Sequence, residues 1–140
     1  MAEGILRHKA QLRGIHLEID SAGTGNYHVG QGPDERAIEC LASGKIDISG
    51  LRARQFCVDD FEEFDLIYVM DESNLRNVLA LAINDTQKTK IHLMLGNGRG
   101  QISSVPDPWF GNIDDFHSVR EMLEVACDHL LDYLPDKFLS

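Results

Sequence analysis

The segment "DLIYVMD" at residues 65–71 constrains the fold more than any other part of the chain, because its apolar run is unbroken. Such a run, bounded by acidic residues, is typical of a strand that is covered on both faces in a parallel sheet. Asp71–Asn84 is predicted to return as a helix, and "KIHLML" at residues 90–95 is predicted to form a further strand. This order predicts an α/β fold, a three-layer sandwich with a parallel sheet. The helix residues available to the core are Leu75, Val78, Leu79 and Leu81.

Helices are also predicted near both ends of the chain. Ala2–Arg13 is predicted to be helical, with Gly14 just past its end as the C-cap, and Ile15–Ile19 alternates apolar and polar residues like a short strand. Pro33 fits the first turn of a further helix, and Asn112 can cap the last one. The apolar stripe predicted for the last helix is Phe116, Val119, Leu123, Ala126 or Cys127, and Leu130.

The composition narrows the class of protein. With 140 residues and no evident linker or repeat, the chain is predicted to be a single domain over residues 1–140. The net charge of −10 argues against nucleic acid as a partner. The apolar runs are too short to cross a bilayer, and Met1–Gln11 lacks the apolar centre of a signal peptide, so we expect a cytoplasmic protein with no membrane insertion. Three cysteines at wide spacing predict reduced thiols.

Metal and nucleotide sites are not indicated by the spacing. The six histidines are scattered, without a pair at i, i+4, and no pair of cysteines joins them, so we expect no metal and no cofactor. The loop at residues 20–32 is rich in glycine but matches neither nucleotide-binding fingerprint in register, and "GNGRG" at residues 96–100 is typical of a turn.

Asp107 is the most distinctive acidic residue of the chain. It stands between Pro106 and Pro108 and is followed by Trp109 and Phe110. Two prolines stiffen the backbone, which suits a general acid that must be held within hydrogen-bond reach of a leaving group. They suit a turn whose aromatic residues fall back onto the core equally well. Spacing alone leaves both interpretations open.

Four stretches of the chain form a further pattern. They are "IDSAGTGNYHVGQGPDERA" at 19–37, "ARQF" at 53–56, "FEEFDLIYVMDESNLRNV" at 61–78 and "PDPWFGNIDDF" at 106–116. These motifs in this order resemble the low-molecular-weight protein-tyrosine phosphatase family. The resemblance covers most of the chain and implies the fold of that family. It also implies hydrolysis of phosphotyrosine proteins or small aryl phosphates through a cysteinyl-phosphate intermediate, with no metal.

The resemblance assigns roles to residues of the predicted pocket. Asp107 matches the general acid, which protonates the tyrosine oxygen as it leaves and later activates water. Trp109 and Phe110 match two aromatic residues that wall the substrate pocket. Tyr27 matches the aromatic residue of the opposite wall, and His28 stands at a neighbouring variable position that tunes substrate choice.

A further match concerns the support of the phosphate loop. Ser21 matches the hydroxyl that braces this loop from behind, whereas Leu51 stands where many relatives carry a histidine. The related thioredoxin-coupled arsenate reductases share the fold, but they need additional resolving cysteines, and the three cysteines here do not form such a set.

The nucleophile loop of the family, Cys-x5-Arg-Ser, is not matched. The residues six after Cys40, Cys57 and Cys127 are Ile46, Glu63 and Tyr133. The resemblance starts just after that loop, so the chain is expected to be an N-terminally truncated domain that lacks the family's first, central strand. We expect it to be inactive as written, because Asp107 has no covalent step to assist. A start assigned to an internal Met is the favoured explanation, ahead of a natural truncation that serves as a non-catalytic phospho-ligand or protein-binding module, or a degenerate relic.

Overall fold

A computed structural model describes residues 1–25, 27–95 and 104–139. Its contacts divide the chain into two compact units, which we call the helical unit and the sheet unit. The helical unit comprises Met1–Ser21, Gly30–Ala53 and Asp107–Ser140, and the sheet unit comprises Ala22–Val29 and Arg54–Pro106. The prediction of a single domain stays a prediction.

The sheet unit contains the parallel strand pair that the sequence predicts. Strand β1 (Ile67–Val69) pairs in parallel with β2 (Ile91–Leu93), with Tyr68 opposite His92. The connection between them carries helices α4 (Glu72–Leu81) and α5 (Asp85–Thr89), and both helices contact β2. The parallel pairing joined by helices confirms the predicted α/β class. The core of this unit is formed by Phe61, Val69, Val78 and Ile91.

The helical unit is built around one long helix. Helix α6 (Ile113–Asp132) packs against α1 (Ala2–Leu12) and α2 (Glu35–Ala42). Asn112 caps α6 by accepting the amide N–H groups of Asp114 and Asp115. The predicted stripe is buried along its whole length, with both Ala126 and Cys127 facing the core. The buried residues of α6 are Phe116, Val119, Leu123, Ala126, Cys127, Leu130 and Leu131.

The remaining helices are short. Helix α3 spans Asp60–Glu63. One-turn 3₁₀ helices span Pro108–Phe110 and Asp136–Phe138. None of the helices that the structure describes is long and apolar enough to span a membrane.

Three local predictions are wrong. Ile15–Ile19 shows the predicted alternation of half-buried and exposed side chains, but it forms no strand, because a strand requires a ladder of hydrogen bonds to a partner and none pairs with it in the described residues. Leu81, at the end of α4, is 42% exposed rather than packed in the core. Pro33 also lies outside its predicted helical turn, since Asp34 is the N-cap of α2.

Candidate functional site

Asp107 occupies the N-cap position of the 3₁₀ turn Pro108–Phe110. Its Oδ1 atom accepts a hydrogen bond from the amide N–H of Trp109 at 3.0 Å. Pro108 fits the first position of the turn, because it has no N–H that would need a partner there and its φ is fixed in the required range. The carboxyl group is exposed and held by its own backbone. The turn interpretation and the acid interpretation are therefore compatible, since the turn is what positions the carboxyl group.

The aromatic residues after Asp107 do not fall back onto the core. Trp109 is 52% exposed and Phe110 is 97% exposed. Single exposed apolar residues are ordinary on protein surfaces, whereas here two aromatic side chains that follow each other in the chain are both exposed. The geometry excludes the interpretation in which these rings fill the core.

Arg36, in the first turn of α2, anchors the turn that carries Asp107. Its two terminal nitrogens donate to the carbonyl oxygens of Gly111 at 2.6 Å and Trp109 at 2.8 Å. The same guanidinium group binds both oxygens of Asp34, at 3.1 Å from Nε and 2.9 Å from Nη2. Its Cζ atom lies 4.6 Å from the centroid of the Phe116 ring. Hydrogen bonding to Arg36 lowers the pKa of Asp34, so the pair is charged at neutral pH.

The sequence interpretation missed Arg36. An arginine between acidic residues in a polar segment is typical of a solvated charge, and its partners are carbonyl groups far along the chain. The one local signal is the Asp-x-Arg spacing at the start of a helix, where Asp34 caps α2 and Arg36 can reach back to the same carboxylate.

Ser21 lies in the helical unit and binds a carboxylate. Its hydroxyl donates to Oε1 of Glu3 at 2.5 Å, while Oε2 of Glu3 accepts from Arg7 at 2.6 Å. Arg7 also donates to the carbonyl oxygen of Ile19 at 2.8 Å, which ties the segment before Ser21 to α1. Glu3 is only 8% exposed and its charge is compensated by Arg7. The role of Ser21 as a brace for a phosphate loop stays a prediction.

Tyr27 and His28 lie in the sheet unit, in a turn that follows a short parallel bridge between Gly23 and Gln55. The bridge is closed by Gly23 donating to the carbonyl oxygen of Arg54 at 2.9 Å and by Phe56 donating to that of Gly23 at 2.8 Å. Tyr27 is 87% exposed, and His28 is exposed as well.

Gly25 lies close to the Tyr27 ring. A Cβ atom at residue 25 would stand 3.2 Å from Cδ2 of Tyr27, a tight contact that a shift of the exposed ring by a few tenths of an ångström would relieve. The functional roles of Tyr27 and His28 stay predictions.

The cysteines differ in their chemical environment. Cys40 and Cys127 are buried, and Cys57 is exposed. Burial raises the pKa of both buried thiols, that of Cys127 to about 12, and outweighs the opposing effect of Arg120 on Cys40. Because the thiolate is the nucleophilic form, the two buried cysteines are unsuited to attack on phosphorus. Within the described residues, no group of three or more His, Cys, Asp or Glu side chains could hold a metal ion.

The parallel strand pair, joined by helices, defines an α/β domain. Residues 1–138 match the model of the low molecular weight phosphotyrosine protein phosphatase family, and the chain belongs to that family.

Relatives in sequence and structure agree with this assignment. The chain is 34% identical over 135 residues to the low molecular weight protein-tyrosine-phosphatase PtpA of Staphylococcus aureus. The aligned region covers 96% of this chain and 84% of that protein. It is 40% identical over 142 residues to a Synechocystis sp. protein named for the same enzyme class, covering 99% and 90% of the two chains. The crystal structure of protein tyrosine phosphatase from Entamoeba histolytica, with Hepes in its active site, superimposes with a TM-score of 0.86 at 31% identity, over 94% of this chain and 85% of that chain.

Proposed function

We propose that this domain hydrolyses phosphotyrosine proteins or small aryl phosphates, with Asp107 as the general acid. The observation that carries the proposal is the exposed Asp107 carboxyl group, which its own turn holds beside Trp109 and Phe110. Membership of the phosphatase family supports the reaction class. The aromatic surface suits a substrate whose leaving group is a phenol ring.

The proposed reaction has two steps. A cysteine thiolate of the family's Cys-x5-Arg-Ser loop attacks phosphorus, the bond between phosphorus and the phenolic oxygen breaks, and Asp107 gives its proton to that oxygen. In the second step, the Asp107 carboxylate takes a proton from the water that attacks the phosphocysteine. Inorganic phosphate and the thiolate are released, and Asp107 is again protonated.

The 140 residues contain no Cys-x5-Arg segment. We therefore expect the 140-residue chain by itself to leave aryl phosphates intact. We expect hydrolysis once the family's strand and Cys-x5-Arg-Ser loop are joined in frame before Met1. We also propose that Tyr27 and His28 contact the substrate, so that Tyr27→Ala in the joined chain raises KM for a phosphotyrosine peptide.

The decisive variant is Asp107→Asn in the joined chain. The amide oxygen can still accept from the Trp109 N–H, so the turn is retained while the transferable proton is lost. We expect kcat to fall about 10²–10³-fold, within the range typical of general acid catalysis. The loss should be larger for phenyl phosphate than for para-nitrophenyl phosphate, because a more basic leaving oxygen needs the proton more.

Asp47→Asn is the matched control. Oδ1 of Asp47 accepts from the amide of the residue two positions later, Ser49, at 2.9 Å, which is the same local geometry as that of Asp107 and Trp109. Both carboxyl groups are exposed. If Asp107→Asn and Asp47→Asn give equal rates, Asp107 is not the general acid.

The same assay distinguishes a non-catalytic module. A correctly folded joined chain with no turnover would refute the hydrolase proposal. Binding of a phosphotyrosine peptide by the 140-residue chain, followed through the fluorescence of Trp109, would then identify a binding domain.

A further inference from the structure

The turn that carries Asp107 is short and needs support from outside itself. Its internal hydrogen bonds are those from Trp109 N–H to Asp107 and from Gly111 N–H to the carbonyl oxygen of Pro108, at 3.0 and 2.8 Å. Single turns of 3₁₀ helix have poor hydrogen-bond geometry, and fixing the dihedral angles of one turn costs more than its few bonds return. Contacts from a longer element therefore determine how well the backbone around Asp107 is fixed.

We call the 3₁₀ turn Pro108–Phe110, with Asp107 as its N-cap, the acid turn. We propose that Arg36 is the positioning residue of the acid turn, which means that it holds the backbone from which Asp107 donates its proton. The inference rests on the proposed function, because it gives Arg36 a role through Asp107. Arg36 binds the two carbonyl oxygens of Trp109 and Gly111, which flank the end of the turn. When both of these peptide planes are fixed, the orientation of the backbone at Asp107, just before the turn, is fixed as well.

Contacts outside the turn fix the orientation of the Arg36 guanidinium group. Asp34 binds it through both carboxylate oxygens, and the ring of Phe116 lies against its face. A planar group fixed at one edge and one face can present its remaining N–H donors in a single orientation. The support therefore comes from α2 and α6, both of which belong to the packed core of the helical unit.

A lysine cannot reproduce this arrangement. Its ammonium group is a point charge on a flexible stem, and it lacks the fork that reaches the carboxylate of Asp34 and the two carbonyl oxygens together. Arg36→Lys therefore keeps the positive charge near Asp34 while it loses the fixed orientation. A role for Arg36 that depended on charge alone would be rescued by lysine, whereas a positioning role would not.

Arg120 provides a matched control within the same unit. It binds a carboxylate, Glu124, at 2.8 Å, and it donates to a backbone carbonyl oxygen, that of Cys40, at 2.8 Å, so it joins α6 to α2 by contacts of the same kind. Its partners do not include the acid turn. A substitution at Arg120 therefore measures what such contacts contribute to stability alone.

The first experiment uses the 140-residue chain, in which Trp109 is the single tryptophan. Time-resolved fluorescence anisotropy and acrylamide quenching of Trp109 are compared among the wild type, Arg36→Gln, Arg36→Lys and Arg120→Gln, well below the melting temperature that circular dichroism gives for each. We expect faster local motion and stronger quenching in both Arg36 variants, and wild-type values in Arg120→Gln. If Arg36→Gln does not fold, Arg36→Lys and Arg120→Lys form the matched pair.

The second experiment uses the joined chain described above. We expect Arg36→Lys to lower kcat about 10–100-fold with little change in KM, since a displacement on the ångström scale has effects of this size. In the Asp107→Asn background the same substitution should have little further effect, because there is no proton left to position.

The outcomes separate the two proposals. Equal Trp109 anisotropy and quenching in the Arg36 and Arg120 variants would overturn the positioning role of Arg36, whatever Asp107 does. Wild-type kcat in Arg36→Lys would overturn it as well. If Asp107→Asn leaves kcat unchanged, the proposed function fails at Asp107, and with it the catalytic meaning of the support from Arg36, even where Trp109 becomes mobile.

Discussion

The buried carboxylate of Asp60 gives a sharp test of the sheet unit. Its side chain is 4% exposed and accepts from Nη1 of Arg54 at 3.0 Å and from the amide of Cys57 at 2.9 Å. Burial raises the pKa of Asp60, but the contacts with Arg54 and with the Cys57 N–H outweigh it, and the net pKa lies below the ordinary value. Asp60 is therefore ionised in the folded protein at neutral pH, and Arg54 is the cation that compensates it.

The perturbation is Arg54→Met, which keeps most of the apolar stem of the side chain and removes its charge. A hydrogen bond to a charged group contributes about 1.5–3 kcal/mol, and loss of one partner of a fully buried ion pair costs about 3–5 kcal/mol. The Arg54 side chain is 33% exposed, so water partly compensates the loss. We therefore expect the free energy of unfolding to fall by about 2–3 kcal/mol at pH 7.

The pH dependence has a definite sign. The lowered pKa of Asp60 gives the wild type a contribution to stability that is complete above the unfolded pKa of about 3.9 and is lost as the pH falls through the folded pKa. In Arg54→Met, burial without the cation raises the pKa of Asp60, so its carboxylate takes up a proton earlier on acidification. The difference between wild type and variant should therefore shrink as the pH falls from about 5 towards 4.

The assay is urea unfolding followed by far-ultraviolet circular dichroism, at pH 7 and at intervals down to pH 4. Arg52→Met is the control, because Arg52 is exposed and donates to the carbonyl oxygens of Ser49 and Leu51 rather than to a buried carboxylate. We expect this control to change stability by less than about 1 kcal/mol. Equal losses in the two variants, or a difference that does not depend on pH, would refute the argument.

Three further changes test other parts of the fold. Gly4→Ala places a Cβ atom against Cγ2 of Ile48, whose side chain is buried and stiff. We expect the overpacking to cost about 1–3 kcal/mol of stability, which exceeds the gain of about 1 kcal/mol from the higher helix propensity of alanine, so the melting temperature should fall. Asn112→Ala removes the N-cap of α6 and should cost about 1 kcal/mol in urea unfolding, and recovery of that loss is expected with Ser at the same position. Titration with a disulfide reagent should modify Cys57 rapidly in the native protein and the buried Cys127 only after unfolding, so equal native rates would contradict the described burial.

Features with local signals were predicted from sequence. Asn112 followed by acidic residues predicts the start of α6, because an N-cap depends on contacts within three residues, and the helical spacing after it predicts the buried stripe. Ile15–Ile19 was misassigned because alternation reports which side chains face the core, while a strand depends on a partner elsewhere in the chain. Leu81 matched the spacing of α4 but lies at its last residue, where helical periodicity determines burial least.

The candidate site also contains one residue with a local sequence signal, Asp107, and one, Arg36, whose contacts with the acid turn have none. Spacing identified Asp107 as a fixed carboxyl group but left its role open, and only the family resemblance gave it a reaction. Arg36 was missed because its partners on the acid turn, Trp109 and Gly111, lie 73 and 75 residues away. Such contacts depend on how α2 and α6 pack, which no local pattern encodes. Positioning residues of this kind become visible only when the fold is known.

The contacts of Arg36 have a consequence for how this surface can change in evolution. Arg36 binds carbonyl oxygens of the turn, and every amino acid supplies the same carbonyl group. The aromatic side chains at Trp109 and Phe110 can therefore be exchanged by single mutations while the tether keeps its hydrogen bonds. In the function proposed above, the side chains of Trp109 and Phe110 would set substrate preference, while the backbone bound by Arg36 would set proton delivery, so a mutation in one would leave the other in place.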